Sequence, residues 1–225
     1  MTSSASISTI LGIESTPTAR WNAIREPGLP VIVSYHFPEG DDLPPPSDLS
    51  RDASATNSFS PAMREAMRAA MDVYERTTGV LFVEQPHAGA MVDIFGAYDT
   101  PVGAWATYAS SSMSRTGSGV LVVDLDNGER TTGYGFELML HELGHTMGLS
   151  HPHDGPVVLD GHLDHSGTTV MSYNELPEPA SELGWLDVAA LHALYGPPVD
   201  MSGLKLGFEG EVFHALGGAG DDVVL

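Results

Sequence analysis

Residues 141–151, His141-Glu142-Leu143-Gly144-His145-Thr146-Met147-Gly148-Leu149-Ser150-His151, set the terms on which the rest of the chain is read. Two imidazoles four residues apart share one face of a helix and can grip one metal ion. Glu142 sits beside the first imidazole, placed to reach a metal-bound water rather than the metal. The helix must then stop so that a third ligand can swing back. Gly148 suits that exit, because glycine tolerates a left-handed backbone. His151 follows as the third ligand. Three protein ligands leave a fourth position open, the arrangement of a catalytic rather than a structural zinc. In a chain with ten His and 25 Gly, the full spacing arises by chance about once in ten thousand sequences.

Working outward, residues 134–147 read as the helix that carries the motif, closed at Gly148. Before it, residues 31–37, 80–84, 91–96, 103–109 and 120–125 are β-branched, apolar runs that predict five strands. Ser60-Pro61 opens a helix, with Ser as N-cap and Pro in the first turn. Met63, Met67, Ala70, Met71 and Tyr74 form its apolar face. Residues 38–58, with Pro44, Pro45 and Pro46, read as a loop, and 110–118 as a Ser/Gly-rich loop. A last helix covers roughly residues 185–194, stopped by Gly196-Pro197-Pro198. This order predicts an α+β fold with a mixed sheet.

Composition narrows the partners. The chain has 225 residues, 42% of them hydrophobic, with 30 acidic residues against 9 basic ones and a formal net charge of −21. Such a surface repels nucleic acid and anionic lipid, and it suits high salt or a calcium-rich medium. No cysteine is present, so thiolate metal ligation, disulfides and a cysteine-based inhibitory switch are excluded. No window resembles a membrane span, and residues 1–20 lack the pattern of a secretory signal.

The stretch HELGHTMGLSH resembles the metzincin zinc motif, and Val170-Met171-Ser172-Tyr173 resembles the Met-turn that follows it. Together with WLDVAALHALYG (185–196) and the terminal GGAGDDVVL (217–225), the chain is similar to serralysin-type zinc proteases from residue 31 onward. The resemblance implies a mixed, mainly parallel five-stranded sheet with an active-site helix and a C-terminal helix. It implies zinc on His141, His145 and His151, with Glu142 as general base and Met171 packed beneath the metal. Tyr173 would be an additional, mobile zinc ligand that stabilises the oxyanion. An extended protein or peptide substrate would pair with the strand around Ala104, Trp105, Ala106 and Thr107. The resemblance further implies a secreted, extracellular monomeric endopeptidase, open to a proteinaceous inhibitor.

The remaining features carry alternatives. GGAGDDVVL fits a calcium-binding nonapeptide, with Asp222 as the acid, or else is a Gly-rich turn. The chain then divides into a leader or propeptide (1–28), a catalytic domain (29–200), and a linker with the start of a calcium-binding β-roll (201–225). The leader, rich in Ser, Thr and Pro, reads as loosely structured. His153, Asp154, Asp160, His162, Asp164 and His165 either line the cleft as a polar loop or hold a second metal. His36, His87, His192 and His214 read as ordinary packed or surface residues. Two other functions compete with the protease. One is an inactive relative that binds peptides or a partner protein. The other is a calcium-dependent structural module in which the metal only holds the fold.

Overall fold

The computed structural model describes residues 7, 9–11, 20–21, 25–107, 119–154, 157–201, 203–210 and 212–217. In chain order its elements are β1 (Val31–His36), β2 (Ala55–Asn57), α1 (Pro61–Thr77), β3 (Val80–Glu84), β4 (Val92–Tyr98), β5 (Ala104–Ala106), β6 (Gly119–Asp124), α2 (Tyr134–Thr146), α3 (Trp185–Tyr195), β7 (Leu204–Glu209) and β8 (Val212–Gly217). The architecture is α+β around a mixed, mostly parallel sheet in the order β3-β1-β4-β6-β5, with β2 also on β4. The pairs β1/β3, β1/β4 and β4/β6 are parallel, while β5 runs antiparallel on β6.

The sheet has six strands rather than the five expected. The extra one, β2, lies within residues 38–58, read from sequence as a loop. β1 pairs with β4 only at Tyr35↔Val92 and His36↔Asp93, so the rest of that edge is free. Ala55–Asn57 fills it in antiparallel register opposite Gly96–Tyr98. A three-residue strand with no buried side chain has no alternation to announce it. Two short 3-10 turns, Gly40–Asp42 and Pro46–Asp48, occupy the same segment.

One face of the sheet carries the helices. α1 starts where expected, with Ser60 Oγ accepting from the Met63 N–H at 3.2 Å and Pro61 in its first turn. Its predicted face, Met63, Met67, Ala70, Met71 and Tyr74, is buried in the main core. From there the Tyr74 hydroxyl donates to the Leu140 carbonyl of α2 at 2.6 Å, locking the two helices together. On the opposite face, Phe95, Ala97, Trp105 and Val122 pack under Leu43, Leu49 and Ala53, residues of the Pro-rich segment. That segment is a lid over apolar sheet, which its composition did not reveal.

Two described residues of the 1–28 leader belong to the core rather than to a loose segment. Ile10 and Trp21 are buried, and the Trp21 indole donates to the Thr146 carbonyl at 2.9 Å. Ile7 and Leu11 pack beside Ile10 at helical spacing, a pattern too short to stand out in a Ser/Thr-rich stretch. Within 201–225, β7 and β8 form an antiparallel hairpin. Residues 218–225, Asp222 among them, lie outside the described residues, as do 108–118. Among the described residues no helix is long and apolar enough to cross a membrane.

Candidate metal centre

The exit from α2 creates the centre. Gly148 has φ +95°, as its role at the exit requires. The Leu149 N–H bonds the Gly144 carbonyl and the Gly148 N–H bonds the His145 carbonyl, both at 2.9 Å. This is a Schellman close, which turns the chain sharply at a helix C-terminus. It delivers His151 back over the helix face that holds His141 and His145.

The three Nε2 atoms converge, His151 lying 3.3 Å from that of His141 and 2.9 Å from that of His145. Each opposite ring nitrogen faces an acceptor. His141 Nδ1 meets the Val170 carbonyl at 2.7 Å, His145 Nδ1 the Leu149 carbonyl at 2.8 Å, and His151 Nδ1 the Asp154 carboxylate at 2.7 Å. A carbonyl or carboxylate can only accept, so Nδ1 carries the proton in all three rings. The three Nε2 lone pairs therefore point at one another. Burial reinforces the neutral form, pulling His141 down to about 4 and His145 to about 3. With their Nε2 atoms gathered at one point, these three residues could hold a metal ion.

Glu142 is the second part. It is 4% exposed and its Oε2 has no hydrogen-bond partner among the described residues. Burial pushes its carboxyl up to about 8, while the positive field of Arg51 pulls it down. A cation on the imidazoles would pull it further in the same direction. An unpartnered buried carboxylate beside three metal-competent rings is poised to exchange a proton with whatever enters the cleft.

The third part is the turn at residues 169–173. Met171 is fully buried and packs against α2 at Gly144, where any Cβ would collide with its sulfur. Tyr173 is 64% exposed, yet its hydroxyl lies 2.9 Å from His151 Nε2. Holding this turn is Asp187 of α3, a residue not singled out from sequence. Its carboxylate is fully buried. It accepts from the Thr169 hydroxyl at 2.5 Å and from the Val170 and Gly184 N–H groups at 2.8 Å each. The only signal was an acidic residue in the first turn of a helix, which says nothing about where its carboxylate points.

His141, Glu142, His145, His151 and Tyr173 line one cleft of about 420 Å³, bordered by Arg51 and by residues 102–106. β5 is the sheet edge there. The four edge residues proposed from sequence separate into two kinds. The Thr107 N–H donates to the Val120 carbonyl and the Gly103 carbonyl accepts from Asp124 N–H, both at 2.9 Å. Odd-numbered backbone groups thus face β6, and alternation turns those of Ala104 and Ala106 outward. The Trp105 side chain is buried on the far face. Among the described residues Ala104 and Ala106 present unpaired backbone to the cleft, whereas Trp105 and Thr107 build the sheet.

The polar residues after His151 disperse. Asp160 pairs with His162, Asp164 with Ser172, and His165 with Thr168. Among the described residues only His151, His153 and Asp154 gather a second candidate ligand group within 4.8 Å, sharing His151 with the first. His36 and His192 bond backbone carbonyls, and neither joins a metal group among the described residues. Comparison with protein-family models and with curated proteins finds no match for this chain.

Proposed function

We propose that the chain is a zinc-dependent endopeptidase of the serralysin-type metzincin class, acting on extended segments of protein substrates. The observation that carries this reading is the set of three Nε2 lone pairs fixed on one point, with an unpartnered carboxylate next to it. Four-coordinate zinc with bonds of about 2.0–2.1 Å spaces its nitrogen ligands about 3.3 Å apart, close to the spacings here. Three ligands leave a position for chemistry.

When bound on His141, His145 and His151, zinc supplies Lewis acidity, polarising a carbonyl and making a water acidic. Glu142 accepts the proton of the attacking water and passes it to the nitrogen of the leaving amine. Tyr173 stands at the mouth of the cleft, where its hydroxyl can donate to the oxyanion that develops on the scissile carbonyl. The outward backbone of Ala104 and Ala106 can hold the substrate as an added strand. Fixed Nδ1 protons on all three imidazoles keep the rings in place while this happens.

The test is casein hydrolysis by the zinc-loaded chain and by Glu142→Ala, each with and without 1,10-phenanthroline. Chelator-sensitive cleavage by wild type, lost in the variant, is expected. A zinc-loaded wild type inactive on several proteins would sink the enzyme reading and favour a peptide-binding one.

A further inference from the structure

The buried carboxylate behind the turn is connected to the metal centre by an unbroken, one-way line of hydrogen bonds. The peptide between Val170 and Met171 is its middle link. On one side, the carbonyl of that peptide accepts from His141 Nδ1 at 2.7 Å. On the other, its N–H donates to Thr169 Oγ1 at 3.1 Å. The Thr169 hydroxyl, its oxygen already accepting, turns its proton to Asp187 Oδ1 at 2.5 Å. Every direction is forced, because the amide N–H can only donate and the carboxylate can only accept.

The geometry points to Asp187 and Thr169 as positioning residues that tune His141 as a metal ligand through the Val170–Met171 peptide. Resting on the metal-centre reading above, this role names residues outside the motif. The mechanism is polarisation along a hydrogen-bonded chain. Negative charge on Asp187 makes the Thr169 oxygen a better acceptor. Stronger donation by the Met171 N–H makes the Val170 carbonyl more negative. That carbonyl then draws harder on the His141 Nδ1 proton, and Nε2 becomes the better donor to a cation. Among the described residues, His145 and His151 are tied differently. The first runs through the Leu149–Ser150 peptide, whose N–H donates to the Ile10 carbonyl at 2.8 Å, and meets no carboxylate among the described residues, and the second meets its carboxylate directly at the surface. Thr169 and Asp187 are both fully buried, so solvent does not dilute the effect.

The test measures zinc affinity of the full chain by competition with a chromophoric chelator, and the visible spectrum of the cobalt-substituted protein. The variants are Thr169→Val, Thr169→Ser and Asp187→Asn. Thr169→Val removes the hydroxyl in nearly the same volume and leaves the Asp187 bonds to Val170 and Gly184 in place. Zinc should bind about tenfold more weakly in Thr169→Val and Asp187→Asn, the lower end expected for groups outside the ligand set. Both should shift the cobalt bands, and Thr169→Ser should restore affinity and spectrum. A purely structural role lowers the melting temperature but leaves the spectrum of the folded protein unmoved. If wild type binds zinc and a folded Thr169→Val matches it in affinity and spectrum, the relay is overturned while the centre stands. If wild type binds no zinc, both are overturned.

Discussion

Two segments meet at the metal centre, and they are built in opposite ways. Residues 141–151 place all three imidazoles and Glu142 by local geometry: a helical repeat, a Schellman close and a three-residue return. Residues 169–173 contribute Met171, Tyr173 and the Val170 carbonyl, and local bonds such as Met171 N–H to Thr169 Oγ1 are joined by holds from distant elements. They are held from α3 by Asp187, 17 residues beyond Val170, and from α2 by the space above Gly144. The first segment carries its own instructions. The second is shaped by its neighbours, so its residues acquire meaning only in the folded chain.

That contrast can be tested by breaking each segment in turn. The largest effect is expected at the chemistry itself. Glu142→Ala should lower kcat by about 100- to 10,000-fold while zinc content stays at the wild-type level by atomic absorption. A variant that loses metal as well would mean that the motif is less modular than its spacing implies.

The next prediction concerns acid. His141 and His145 titrate near 4 and 3 in the folded chain, against about 6.5 when unfolded. The unfolded chain therefore binds more protons between these values, and stability rises with pH there. This contribution is complete above about pH 6.5 and is lost as pH falls towards 4 and then 3. Burial raises the carboxyls of Glu142 to about 8 and Asp187 to about 6, which works in the opposite sense, so the histidine contribution is read by difference. Between pH 7 and pH 5 the urea midpoint of the metal-free wild type should fall further, or rise less, than that of His141→Gln.

Smaller effects come from the two glycines of α2 and its exit. Gly144→Ala drives a methyl into the Met171 sulfur and should destabilise by about 1–3 kcal/mol, read as a lower melting temperature. Met171→Ala in the same chain should recover part of that loss, because the collision partner is gone. Gly148→Ala keeps φ +95° strained and should destabilise by roughly 1–2 kcal/mol. The smallest effect belongs to the cleft edge. Ala106→Pro removes an outward N–H and should raise KM several-fold with little change in melting temperature. An unchanged KM would separate the edge from substrate binding.

The sequence made one segment legible and left the other half-read. The three imidazoles, Glu142 and Gly148 could be placed because each depends on spacing along a single helix and its exit. Met171 and Tyr173 were found by resemblance, and the residue that holds their turn was not found at all. An aspartate at the start of a helix has a sufficient local explanation in the helix dipole, and that explanation hides its long-range work. The same limit applied to β2, too short to alternate, and to the brief apolar group around Ile10 and the lone Trp21 in polar chain. Trp105 borders the cleft through the β5 edge while its side chain packs beneath the Pro-rich segment. The cover over that side chain was not foreseen, because residues 38–58 read as a loop.

The carbonyls at the end of α2 are met by groups from the far ends of the described chain, Thr146 by the Trp21 indole and Met147 by the Tyr195 hydroxyl. Contacts spanning 125 and 48 residues are slow to assemble, since loop closure precedes their reward. The turn that delivers His151 should therefore set late on the folding path. A metal captured there acts after the rate-limiting barrier. It should leave the refolding rate nearly unchanged and slow unfolding instead, giving the protein persistence rather than speed.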